Sequence, residues 1–499
     1  MPYLYAIIIP LLSFLLQAFP RIFNKHFGVD VWTRLIEIDL VRKNNHKIPG
    51  IMKNGFIIEG KFDYPPVFPF IFSFLSKKTL EVIQGFVSPF FDSLHCIVVF
   101  IIAYQITNNI TIGLMAQLIY MTIPLIALEN SYLTARSLGY LNFTLAFYPL
   151  ILYSISPLPS YLLFAFISTT LIFLTHRFAT QSLLFIVIFF SIIDKSFLYI
   201  FLFLLSGLTA IIITKGYYLR VLQGHWLNIY FWIVNYKNRF AHQITKSSLS
   251  EGRRDFVGRI YYILGKFSPI TLIGLNSWLL VSFLFIYLNF THPNLIYLQN
   301  SLYGKLSLWI IFFYIFAIII LSVKRLLPIG EGQRYLEMAT VPVSITSSIL
   351  FFSFLQTQKN ISILLFISIF AINLLLILIV QIKLIINDKT RSKTEDMQKI
   401  FSYINKLSGN PRIMCIPHQI TTMTIYNSKA HVLVNANNVG LFGNMIDFFP
   451  VLKRSIKEIA KEFNLDYLLL RESYATVKEL RLQKKKVVFQ SGDILLIKL

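Results

Sequence analysis

The feature that most constrains this chain is a series of apolar runs, about eleven of them, each long enough or nearly long enough to cross a bilayer as a helix. We read them at 3–20, 88–106, 110–128, 141–155, 159–174, 180–193, 197–214, 268–290, 306–323, 338–356 and 361–387. Lipid offers no partner to a free backbone N–H or C=O, so runs of this kind have to be helical. A mean hydropathy of +0.65 and a 56% share of hydrophobic residues over 499 positions exceed what a soluble domain of this length can hide. A signal peptide does not explain so many runs. Residues 1–20 lack a basic start and a small-residue cleavage site, so they are kept as the first span. The expected fold is an α-helical polytopic membrane protein.

The polar remainder is unevenly placed. With eleven spans, the loops on one side are 21–87, 129–140, 175–179, 215–267 and 324–337, together with the chain end; those on the other side are tiny and carry little beyond Lys195, Lys305 and Lys359. After Lys383 the character changes: charge rises, and β-like runs (412–416, 431–434, 467–470, 486–489, 494–498) alternate with a helical pattern at 449–463. We therefore expect a membrane domain at 1–387, with a large first loop at 21–87, and a small extramembrane α/β domain at 388–499.

The formal net charge is +23, from 46 Lys and Arg against 23 Asp and Glu. Because the cations flank apolar runs, anionic head groups and phosphate-bearing lipids are the expected partners, not nucleic acid. The positive-inside rule would put the loop-rich side in the cytoplasm, although the first loop is at or beyond the length where that rule holds. The two cysteines, Cys96 in a span and Cys415 in the terminal domain, decide nothing about disulfides.

Candidate chemistry lies on the loop-rich side. Asp30, in Gly28-Val29-Asp30-Val31-Trp32, sits just after the first span. A carboxylate there can act as a general base towards an acceptor hydroxyl or amide; equally, it can cap the helix that Val31 to Ile38 suggests. That helix, with Trp32, Leu35, Ile36 and Ile38 close together, suits the interface plane. Asp63-Tyr64-Pro65-Pro66 forms a rigid turn presenting a carboxylate and a phenol, of use to a sugar site or simply leading into a helix. Asp92 lies near the start of the second span and should face the protein interior. Glu129 and Arg136, His176 and Arg177, and Glu331, Arg334 and Tyr335 all fall at span ends on the same side. Guanidinium forks match two phosphate oxygens, while any single arginine could merely reach for the interface. Arg253, Arg254 and Arg259 belong to a basic, partly amphipathic stretch. There is no HExxH, no paired CxxC, and no Walker or Rossmann glycine pattern.

The ordered segments Gly28-Val29-Asp30-Val31-Trp32, Asp63-Tyr64-Pro65-Pro66, Ser88-Pro89-Phe90-Phe91-Asp92, Thr134-Ala135-Arg136, Thr175-His176-Arg177-Phe178 and 330–336 together resemble the GT-C superfamily of polytopic glycosyltransferases over roughly 1–387. The likeness is to the broad bacterial and archaeal relatives of dolichyl-phosphate-mannose mannosyltransferases. It implies a polyprenyl-phosphate-linked sugar donor and an extracytoplasmic first loop whose carboxylate, here Asp30, activates the acceptor. It also implies basic residues, here His176, Arg177 and Arg334, that hold the lipid phosphate. Two departures matter. No Trp-Trp-Asp-Tyr-Gly string is present, which argues against whole-oligosaccharide transfer to asparagine. No Asp-Glu pair opens the first loop, so a protein acceptor lacks the support that protein O-mannosyltransferases would give it.

The expectation is an inverting membrane glycosyltransferase of the cell envelope, multi-pass in the plasma membrane, with its site and C-terminal domain extracytoplasmic. Asp30 and Asp63 are the catalytic candidates; Arg136, His176, Arg177, Glu331, Arg334 and Tyr335 are the candidates for substrate and lipid phosphate. The acceptor is left open among lipid, glycan and protein. No definite cofactor is called for, and a divalent metal would be compatible. The basic loops, against the charge rule, are accounted for by anionic substrates. The alternative is a lipid or polysaccharide transporter or flippase, which would spread polar groups through the middles of the spans.

Overall fold

The computed structural model describes residues 2–52, 55–130, 132–238, 241–244, 269–297, 300–434 and 445–499; the basic residues Arg253, Arg254 and Arg259 lie outside them. The chain folds into two bodies: 1–25, 83–218 and 259–387 in the first, and 26–82, 219–258 and 388–499 in the second.

The first body is helical. Among the described residues, six helices are long and apolar enough to span a membrane: Leu4–Phe23, Val87–Thr107, Arg136–Ile155, Leu302–Ser322, Gly332–Thr357 and Lys359–Ile386. Ile110–Met121, Pro159–Thr175, Arg177–Ile193 and Trp278–Thr291 are shorter apolar helices, and Leu198–Ile213 is another apolar helix. Most of the apolar runs of the sequence fall on one of these helices; the run 268–290 is divided, among the described residues, between Pro269–Leu275 and Trp278–Thr291. The expected continuous run 110–128 is interrupted, because a helix ends at Met121 and another begins at Pro124. A proline has no N–H to give and its ring clashes with the preceding turn, so it opens a helix instead of continuing one. At the other end of Ile110–Met121, the Asn109 side chain accepts from the N–H groups of Thr111 (2.9 Å) and Ile112 (3.3 Å), which caps the new helix. Asn108 turns the chain with a φ of 47°.

A polar group in lipid must be satisfied from within. Asp92 is buried and accepts from the Tyr120 hydroxyl at 2.8 Å, from Asn130 at 3.1 Å and from Gln17. His95 continues the network to Tyr120 (2.9 Å) and to Thr144 (2.8 Å). The expected inward-facing Asp92 is thus a hydrogen-bond hub joining four helices. Beside it, Phe143, Phe147, Phe190, Trp309 and Phe313 form an edge-to-face aromatic core, with centroids 4.8 Å apart for Phe147 and Trp309.

The second body holds the short hairpin β1 (Ile51–Met52) and β2 (Gly60–Lys61). It also holds a five-stranded sheet of β3 (Arg412–Ile416), β4 (His431–Val432), β5 (Tyr467–Arg471), β6 (Val487–Ser491) and β7 (Ile494–Lys498), in the order β4-β3-β5-β7-β6. β3 runs parallel to β4 and β5; β7 is antiparallel to β5 and β6. The central strands are covered on both faces, which is why Arg412–Ile416 and Tyr467–Arg471 read as nearly unbroken apolar runs. The first loop is stitched onto this sheet. Val432 donates to the Gly55 carbonyl at 2.7 Å, while Ile57 and Ile58 donate to Val432 (2.8 Å) and Leu433 (2.9 Å). Ile58 joins Met414, Leu433, Leu468 and Leu495 in the core.

Two local expectations change. The helical pattern at 449–463 becomes a helix only from Ile456 to Glu462, with Ser455 accepting from the Glu458 N–H at 3.3 Å. Ser455-x-x-Glu458 is the start signal that the longer reading passed over. The helix Asp30–Lys43 is not laid on an interface: Val31, Trp32, Leu35, Ile36, Ile38, Leu40 and Val41 are all buried. Its apolar residues are taken up by protein, as where Trp32 meets the Tyr426 ring at 5.6 Å.

Candidate functional site

In the second body, Asp30 is exposed and is the first residue of its helix, with Val29 at the cap position. The expected alternative of Asp30 as the cap residue is therefore replaced by a carboxylate in the first turn, where the helix dipole favours negative charge. One turn on, the Arg34 guanidinium pairs with Glu37 and lies 3.5 Å over the Tyr64 ring. Burial alone would lower Arg34, but Glu37, Tyr64 and Asp30 together hold it above its ordinary value. Arg34 therefore stays charged, and it ties Asp30 electrostatically to the turn carrying Asp63. The Asp63 carboxylate in turn occupies the space that a side chain at Gly224 would need. These links bring Asp30 and Asp63 into one neighbourhood.

In the first body the segments that carry the other six candidates pack on one another. His176 is the cap of Arg177–Ile193, its Nδ1 accepting from the Ala179 N–H at 3.2 Å. An imidazole that accepts at Nδ1 carries its proton on Nε2, a donor suited to an oxyanion. A methyl group at Gly139 would lie 2.6 Å from the His176 Cβ, so the helix that begins at Arg136 passes directly against His176. The segment 329–335 closes on the same helix end. Tyr335 is buried, with its ring 4.6 Å from Phe178, and its hydroxyl donates to the Ile329 carbonyl (2.6 Å) and accepts from Gln181 (2.6 Å). Gln181 also donates to Ile329. Tyr335 is thereby committed to holding the turn that presents Glu331 and Arg334. Glu331 accepts from Gln333 at 2.7 Å and lies 3.6 Å from the half-exposed Arg334 guanidinium.

Arg136 is occupied differently. It is buried, it pairs with Glu129, and its Nε is 3.8 Å from Glu337. Both Glu337 oxygens are buried without a hydrogen-bond donor, so Arg136 is the charge that balances them. One arm of its fork is held by Glu129 and its Nε faces Glu337, so it ties the start of Gly332–Thr357 to the turn at Glu129.

Sequence reasoning missed Gln181, Glu337, Gly139 and Gly330. Gln181 and Glu337 gave no signal. Gly330, next to Glu331-Gly332, could have been found as a turn. Its φ is +142°, and a Cβ there would lie 2.6 Å from the Phe178 ring. Gly330→Ala should therefore destabilise the turn by about 1–3 kcal/mol, measured as a lowered unfolding midpoint in detergent; an unchanged midpoint would contradict this packing. Among the described residues, no group of three or more His, Cys, Asp or Glu is placed to hold a metal ion.

No protein-family model matches the sequence, and no curated protein matches it significantly. Solved structures do match in fold. The oligosaccharyltransferase of Archaeoglobus fulgidus, in complex with Zn and sulfate, aligns with TM-score 0.60 at 10% identity over 93% of this chain and 68% of its own. The same archaeal enzyme, AglB, in complex with an inhibitory peptide and a dolichol-phosphate, aligns with TM-score 0.60 at 9% identity over 94% and 69%. ArnT from Cupriavidus metallidurans bound to undecaprenyl phosphate covers 98% of this chain and 97% of its own at 11% identity, but at TM-score 0.45 the likeness is too loose to argue from. At these identities what is shared is architecture: the chain has the fold of the archaeal oligosaccharyltransferase.

Proposed function

We propose that the protein transfers a sugar from a polyprenyl-phosphate-linked donor to an acceptor on the extracytoplasmic face of the membrane. The observation that supports this reading is the packing of segment 329–335 against the start of the helix Arg177–Ile193, which carries His176, Arg177, Glu331 and Arg334 on neighbouring segments, in a fold shared with an enzyme that was solved with dolichol-phosphate bound. The acceptor oxygen attacks the anomeric carbon and its proton passes to Asp30. The bond from that carbon to the phosphate oxygen breaks, and polyprenyl phosphate leaves. Displacement in one step inverts the anomeric centre. Arg334, with His176 and Arg177, meets the charge that grows on the leaving phosphate, where electrostatic stabilisation counts most. Glu331 and Tyr335 hold Arg334 in place, and Asp63 positions the sugar. The early polar loop and the gathering of His176, Arg177, Glu331 and Arg334 at helix ends favour an enzyme over a transporter.

Arg334→Ala should lower the rate of polyprenyl phosphate release by about 10²–10³-fold. Arg334→Lys should recover only part of it, because lysine keeps the charge and loses the fork. The measurement is release of the lipid phosphate from a labelled donor in detergent. Turnover of Arg334→Ala at the wild-type rate would remove Arg334 from the mechanism.

A further inference from the structure

A cavity of about 460 Å³ opens within the second body, away from Asp30 and Asp63 in its lining, among Lys43, Lys77, Asn410, Tyr426, Lys429 and His431. It lies where the helix Asp30–Lys43, the helix Lys77–Ile83, the helix Thr421–Asn427 and the approach to β4 meet. Its cations exceed its carboxylates. Lys43, Lys77 and Lys429 line it; Arg42 stands behind, paired with Asp39 at 3.0 Å. The carboxylates among these groups are already engaged: Asp39 also takes Lys43 at 2.8 Å, and Glu81 accepts from the Tyr426 hydroxyl at 3.0 Å. Lys429 donates to the Leu407 carbonyl, yet an ammonium has three protons and keeps others to offer. Tyr426 presents its ring with the Lys77 ammonium 4.4 Å from the centroid. Burial, with Glu81 and Asp39 beside it, pushes the Tyr426 phenol above its ordinary range, so it remains a neutral donor and apolar platform.

The Tyr426 ring, whose face Lys77 covers and an exposed lysine can vacate for the C–H side of a sugar, the Asn410 amide for its hydroxyls, and an excess of ammonium groups for an oxyanion describe one kind of ligand. The volume suits one or a few sugar units, since small-molecule sites run from about 300 to 1,000 Å³. A nucleic acid would call for a charged track with successive aromatic platforms, and the lining offers one phenol ring in a hollow open to solvent. We propose that this cavity binds an acidic saccharide, carrying a carboxylate or phosphate, as part of the acceptor glycan. The assignment of the ligand as acceptor rests on the glycosyltransferase reading; the binding does not.

The test is direct titration of the full-length protein in detergent at fixed ionic strength, following heat. Three probes are used: tetragalacturonate, maltotetraose and inorganic phosphate. Tetragalacturonate should bind at least about tenfold more tightly than either of the others. Lys77→Glu and Lys429→Gln should each weaken it by about tenfold, and Lys77→Arg should hold it within about threefold. Size exclusion establishes that the variants are folded, and Lys77, being exposed, tolerates either replacement. Equal binding of the neutral and acidic sugars, or wild-type affinity in Lys77→Glu, would overturn the site. Phosphate binding as tightly as the oligosaccharide would overturn the saccharide assignment and leave an oxyanion site. The titration needs no turnover, so it fails or succeeds separately from the transfer reaction: binding without donor cleavage contradicts only the enzyme, and cleavage with unaltered binding in the variants contradicts only the cavity.

Discussion

Asp30→Asn is expected to lower sugar transfer by about 10²–10⁴-fold, the usual contribution of a positioned general base, while leaving the protein folded. The two effects differ enough in size to be separated. A rate loss of that order corresponds to about 2.7–5.4 kcal/mol of transition-state free energy. The structural role of Asp30 is smaller: it is an exposed carboxylate in the first turn of its helix, where the dipole is worth about 0.3–1 kcal/mol. Arg34 loses one favourable neighbour but keeps Glu37 and Tyr64. A variant that unfolds at the wild-type temperature and no longer transfers sugar fits the assignment; one that transfers sugar at near-normal rate removes Asp30 from the chemistry.

Arg136→Met should cost about 3–5 kcal/mol of stability, because it strands a buried carboxylate. Glu337 is 2% exposed, and both its oxygens lack hydrogen-bond donors. Its compensation is the Arg136 guanidinium at 3.8 Å. Glu129, at 33% side-chain exposure, can turn to water when the arginine goes; Glu337 cannot. The double variant Arg136→Met, Glu337→Gln should therefore regain most of the loss, since replacing both members of a buried pair is often nearly neutral. Unfolding midpoints of the three proteins in detergent test this. A single Arg136→Met variant as stable as wild type, or a double variant no better than the single one, would show that the pair does not hold the first body together.

The helical spans were legible because lipid leaves an apolar run no other option; the breaks at Pro124 and at Asn276 were hidden inside hydrophobic residues on both sides. The strands Arg412–Ile416 and Tyr467–Arg471 were legible for the matching reason, that a strand covered on both faces is apolar throughout. Residues at the span ends could be recognised by type, since charge at the rim of a bilayer is conspicuous. What each does with its charge depends on partners far along the chain. Arg136 reads like Arg334 in sequence, but one is enclosed by Glu129 and Glu337 while the other is half exposed. Tyr335 looked like a ligand group until its hydroxyl was found on Ile329 and Gln181. The helix after Asp30 looked interfacial because its amphipathic pattern cannot say whether lipid or the distant Tyr426 covers Trp32.

The central claim, that the chain breaks a sugar–phosphate bond on a lipid carrier, is tested most directly by purified protein in nanodiscs with a polyprenyl-phosphate sugar labelled in both lipid and sugar, supplied with acceptor glycans. The account predicts that the wild-type protein separates the two labels, placing the sugar on the acceptor and leaving free polyprenyl phosphate, and that Arg334→Ala nearly stops this. Labels that stay together while the lipid crosses a sealed membrane would contradict it and identify a transporter instead.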